Sequence, residues 1–186
     1  MGPTMGNGMG DMRGVAGDRS GAEGAGILQL VSFRLGEQTY AIDIMMVREI
    51  KVWTEATPLP NTPSFVRGVI NLRGLIVPVF DLRDRFGQGR TETTRTHVVV
   101  VVSVEGRTLG ILVDAVSDIL TVPRDGIRPV PDADPGHESA FLSGLVTVGE
   151  EMVALIAPAR LFSREVVTGV HAGSGEATDR AAQANG

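Results

Sequence analysis

Few residues of this chain are arranged to do covalent chemistry. His97, His137 and His171 lie far apart and form no HExxH or HxxxH pair, so no metal site is expected. The absence of cysteine excludes thiol nucleophiles, disulfides and thiolate zinc sites. Ser143 is preceded by Leu142 and followed by Gly144, which is not the GxSxG elbow of a hydrolase. Gly68, Gly74 and Gly110 stand outside the strand-GxGxxG-helix context that cradles a phosphate, so no cofactor is expected. Asp43, Asp81 and Asp114 would serve a small β-barrel enzyme or ligand binder only if folding brought them together. The other notable charges are Glu49, within VREIKVW, and Arg73, within NLRGLIVP. An arginine and a carboxylate set into apolar strands can form an oriented, bidentate pair, which suits an interface better than catalysis.

The segments that must position these charges are short and β-rich. Hydrophobic residues make up 42% of the chain but aromatics only 4%, so the core must be built from Val, Ile and Leu, which suit strands. The richest segment is Asn61 to Phe86, NTPSFVRGVINLRGLIVPVFDLRDRF: a proline-punctuated entry, two apolar strands about a Leu-Arg-Gly turn, and an exit led by Asp81. The valine run Val98 to Val102 reads as a core strand, or as one whose exposed face forms part of a helix-binding groove.

An internal repeat organises the folded part. Leu35 to Ile50 aligns without a gap on Val104 to Ile119, placing Val47 on Val116, Glu49 on Asp118 and Ile50 on Ile119. Phe65 to Phe86 aligns likewise on Phe141 to Phe162, placing Gly68 on Gly144 and Val77 on Val153. The charges are not repeated: Arg73 falls on Gly149 and Asp81 on Ala157. Two matches in the same order argue for a duplicated β-unit. Each unit contains a hairpin, a third strand, a proline-rich loop, a second hairpin and a short helix. The expected fold is mainly β: two five-stranded, barrel-like subdomains packed around a shared aliphatic core, with the second subdomain beginning near residue 96.

Residues 1–26 are glycine-rich and 167–186 polar, and both are expected to be flexible tails flanking a domain over 27–166. A net charge of −5 offers no footprint for nucleic acid. Apolar runs fall short of the roughly 18 residues that span a bilayer, and no secretion signal is visible, so a cytoplasmic protein without membrane insertion is expected.

The motifs GVINLRGLIVPVFDLR and GILVDAVSDIL, with the segments around them from Ile27 to Arg164, resemble the CheW family of chemotaxis coupling proteins. The resemblance implies SH3-like subdomains and a non-enzymatic scaffold that couples the cytoplasmic tips of chemoreceptors to the regulatory domain of the histidine kinase CheA, in membrane-associated arrays where copies of the adaptor also touch. A pilus-motility or developmental pathway would use the same adaptor chemistry. Carried onto this chain, the receptor-binding residues would be Val47, Glu49, Arg73, Val98 and Ile119, with Arg73 paired to Glu49. The kinase-binding residues would be Ile44, Gly68, Leu75 and Val77.

Overall fold

Branched aliphatic residues at alternate positions, broken by glycine turns, give ten strands among the described residues. The computed structural model describes residues 26–131 and 138–162, so the two expected tails lie outside the described residues apart from Gly26. The strands are β1 (Ile27–Leu35), β2 (Gln38–Asp43), β3 (Val47–Val52), β4 (Val66–Leu72), β5 (Leu75–Asp81), β6 (Val98–Val104), β7 (Arg107–Val113), β8 (Ala115–Pro123), β9 (Leu142–Val148) and β10 (Glu151–Ile156). Two short helices, α1 (Leu82–Arg85) and α2 (Pro158–Leu161), follow β5 and β10. Each element of one repeat thus has its counterpart in the other.

The strands form two five-stranded sheets, ordered β8-β1-β2-β10-β9 and β3-β6-β7-β5-β4. The sheets are therefore not the two repeats taken in order, and a division near residue 96 does not separate them. Each sheet combines the first hairpin of one repeat with the third strand and closing hairpin of the other. The exchange occurs at two short links: the single 3-10 turn Ile44–Met46 after β2, and Asp114 after β7. Asp43 caps the first link by accepting from the Met45 N–H at 2.9 Å. Because the exchange is reciprocal, the operation that carries the first repeat onto the second also carries the second onto the first, a pseudo-two-fold relation.

Each sheet curls until its ends meet. Thr57, beyond β3, exchanges two backbone hydrogen bonds of 2.8 Å with Val69 of β4; Arg128, beyond β8, does the same with Leu145 of β9. Glycine is required at these closures. A β-carbon on Gly68, whose φ is +130°, would lie 2.1 Å from the Thr57 carbonyl oxygen, and one on Gly144 would lie 2.9 Å from that of Arg128. One bridge per sheet draws its ends together, consistent with an SH3-like architecture whose barrels stay largely open.

The valine run shows how the core is divided. Val100, Val102 and Val104 face a cluster shared by both sheets, together with Phe33, Tyr40 and Phe80, while Val99 and Val101 face a second cluster with Ile70, Val77 and Val79. Side chains alternate across a strand, so Val99 to Val102 are buried on both faces and offer none to a partner, while Val98 at the strand's start is half-buried. At the seam, the Arg85 guanidinium lies between the rings of Phe65 and Phe141, 4.5 and 4.7 Å from their centroids, and burial lowers its pKa. These phenylalanines are repeat equivalents, and a planar cation can stack on both.

Candidate docking groove

The edge strands β3 and β8 line opposite walls of a groove of about 430 Å³, with Val31 and Ile44 contributing beside them. Its walls are repeat equivalents: Val47 and Val116, Arg48 and Ser117, Glu49 and Asp118, Ile50 and Ile119. Both edge strands carry a register irregularity here, between Val47 and Glu49 on β3 and opposite Val31 to Phe33 on β8. Such bulges twist a strand and withdraw its edge from further pairing. Ser32 fills the second bulge: its hydroxyl donates to the Asp118 carbonyl at 2.8 Å and accepts from the Asp118 N–H at 3.0 Å. Ile50 and Ile119 remain exposed, leaving an aliphatic cleft edged by charge.

Arg73 adds the main charged feature. It occupies the β4–β5 turn with φ 54°, followed by Gly74 at φ 89°, the two positive values that a tight type I′ hairpin turn needs. The Asn71 side chain steadies the turn by accepting from the Gly74 N–H at 2.7 Å. From there the guanidinium reaches the Glu49 carboxylate at 3.1 Å, with side-chain exposures of 81% and 26% respectively.

The fold thus assembles part of the expected constellation. Val47, Glu49 and Ile119 line the groove, and Arg73 joins them through Glu49. Val98 does not: it pairs with Val52 and Val113, half-buried against the shared core, at the end of β3 remote from Val47. The expected kinase set is divided. Ile44 lines the groove, and Leu75 is exposed beside Ile76 at the β4–β5 hairpin. Val77 is 0% exposed, so it cannot contact a partner directly. Gly68 serves the closure beside Thr57. The lining residues missed include Ile50, Val116 and Asp118, each the repeat equivalent of an expected one, which doubling the set through the alignment would have found; Val31, Arg48 and Ser117 carried no such signal.

The carboxylates of the rival ligand-binding reading do not converge. Asp43 caps a turn. Asp81, wholly buried, accepts from the Thr91 N–H at 2.8 Å, the Thr91 hydroxyl at 2.7 Å and Arg67 at 3.4 Å. Asp114 accepts from the Gly36 N–H at 2.6 Å and from Arg83 at 2.9 Å, with the His97 Nε2 at 3.6 Å, beside a polar cavity of about 530 Å³. That cavity is lined by side chains such as Arg83 and Asp114 that pair with each other. Among the described residues no group of three His, Asp or Glu side chains could hold a metal ion, and no helix is long and apolar enough to cross a membrane.

Two curled sheets with exchanged strands, a cleft at their pseudo-two-fold and an ion pair on its rim define a β-rich scaffold. Residues 29–166 match the CheW-like domain family, and the chain belongs to it. It is 44% identical over 137 residues to the chemotaxis protein CheW of Rhizobium meliloti (strain 1021), an alignment covering 74% of this chain and 88% of that one. It is 40% identical over 137 residues to the chemotaxis protein CheW of Klebsiella aerogenes, covering 74% and 82%. The crystal structure of the scaffolding protein TtCheW from Thermoanaerobacter tengcongensis superposes with a TM-score of 0.69 at 32% identity, covering 78% of this chain and 94% of that one.

Proposed function

We propose that this protein is a non-enzymatic cytoplasmic adaptor that couples the helical tips of chemoreceptors to the regulatory domain of the histidine kinase CheA in membrane-associated arrays. The observation that carries this reading is the groove between β3 and β8: aliphatic along its walls, open to solvent at Ile50 and Ile119, and bordered by the Glu49–Arg73 pair. An amphipathic helix needs this combination, apolar contact for affinity and a few charges for register.

The receptor is assigned to the groove, through Val47, Glu49, Ile50 and Ile119, with Arg73 at its rim. The kinase domain is assigned to the exposed Leu75 and Ile76 of the β4–β5 hairpin, which lie outside the groove lining. Separate surfaces allow both partners to be held at once, as a coupling role requires; further copies of the adaptor would share the array. The test is co-elution of the purified chain with a receptor cytoplasmic fragment and with a CheA regulatory domain. A ternary complex at tens of micromolar is expected, the range of a transient interface. Binding of neither partner would refute the adaptor role.

A further inference from the structure

The pseudo-two-fold creates a problem that apolar contact cannot solve. The pseudo-two-fold exchanges the two walls of the groove, Val47 with Val116 and Ile50 with Ile119, and reverses direction along it. A helix laid into it meets nearly the same aliphatic surface when turned end for end. A coupling scaffold has to seat its partner in one direction.

The charges break the symmetry. Glu49 is neutralised within the chain by Arg73. Its equivalent Asp118 faces the β9–β10 hairpin, where Gly149 stands in place of Arg73 and supplies no side chain. Asp118 is exposed and makes no ion pair among the described residues. Beside it lies a depression of about 220 Å³ that Val148 and Glu151 of that hairpin also line. Arg34 and Glu151 also line this depression, and Arg34 makes no ion pair with Asp118 among the described residues.

We propose that Asp118 is the residue that sets the direction of the bound helix: a lysine or arginine on the partner pairs with it, supplying from outside the cation that Arg73 supplies to Glu49 from within. The inference rests on the groove being the receptor-docking surface. The occupant is an amphipathic helix with an aliphatic stripe and a basic residue towards one end. Charge complementarity selects it, because on the β3 wall Glu49 is already paired with Arg73 and Arg48 adds a further positive charge.

The test uses the full chain with isoleucine methyl labelling and a receptor cytoplasmic fragment carrying a spin label at the basic end of its tip helix. In the wild-type protein the label should broaden Ile119 more strongly than Ile50. Asp118→Asn should even out the two signals and weaken binding roughly two- to five-fold, the scale of an exposed ion pair. Gly149→Arg should do the same by filling the partner's place. A β-carbon at Gly149 meets nothing within 4 Å, but its φ of +63° strains any side chain, so the denaturant midpoint of this variant is measured alongside and Asp118→Asn carries the test if it unfolds. Unequal broadening that persists unchanged in both variants overturns the role of Asp118 while leaving the docking surface intact. Equal broadening in the wild type does likewise. No broadening at either isoleucine overturns the docking surface itself and the role of Asp118 with it.

Discussion

Arg73 and Glu49 belong to opposite ends of one sheet's strand order, the β4–β5 hairpin and β3, and their 3.1 Å contact exists only because that sheet curls until its ends meet. The pair therefore depends on the closure at Thr57 and Val69, as well as on the turn that carries Arg73. Its energetic weight in folding is small. With the arginine mostly exposed, the ion pair contributes ~0–1 kcal/mol, so its role is to shape the groove's rim.

Charge reversal should accordingly affect binding more than stability. Arg73→Glu should weaken receptor-fragment binding, and adding Glu49→Arg should restore part of it. Unfolding free energies from urea titration should move by no more than about 1 kcal/mol, the scale of an exposed ion pair. Strict additivity of the two changes in binding free energy would show that the residues act independently.

The closure makes a sharper stability prediction. Gly68→Ala places a β-carbon against the Thr57 carbonyl and also strains the backbone, so urea unfolding should show a loss of about 3 kcal/mol. Gly74→Ala shares the positive φ but meets no atom within 4 Å, and should cost about 1 kcal/mol. Equal costs at the two sites would remove the steric account of Gly68.

Much of this was legible in the chain. The repeat identified every paired element, because hairpins and their turns are local and glycine, asparagine and proline mark them directly. The Glu49–Arg73 pair was also accessible, since both charges interrupt apolar strands. The strand exchange was not. A repeat aligns on itself equally well whether its strands stay together or trade partners, and only the links at Ile44–Met46 and Asp114 decide which. The resemblance assigned Val98 and Val77 to partner surfaces, but a valine's face depends on which sheet covers it: Val77 on β5 is wholly buried and Val98 on β6 is half-buried against the shared core.

Tyr40 gives a spectroscopic test of the shared core, because it is the only tyrosine in the chain. Burial, followed by its hydrogen bond to and the charge of Glu138, raises its pKa far above the ordinary value of 10. Tyrosinate absorbance should therefore stay flat through the usual tyrosine range while the protein is folded. The sign of the linkage follows: the unfolded chain loses this proton first, so the stability contribution is complete below pH ~10 and is lost as pH rises beyond it. Ordinary titration without unfolding would contradict the buried placement.

Asp81 tests a feature that only the first repeat carries. Asp81→Ala would leave Arg67 without its buried partner and Thr91 without its acceptors. A loss of about 3–5 kcal/mol is expected, measured by chemical denaturation. A loss below about 1 kcal/mol would mean that the network reorganises without it.

In the proposed arrangement β3 and β8 together hold the receptor, with Arg73 at the rim, while Leu75 and Ile76 of the β4–β5 hairpin stay free for the kinase. Isoleucine methyl spectra test it directly, since Ile50 and Ile119 report on the groove and Ile76 on the hairpin. Adding a receptor cytoplasmic fragment should shift Ile50 and Ile119 and leave Ile76 in place; a fragment that shifts Ile76 while the two groove isoleucines stay still would place the receptor on the hairpin instead of the groove.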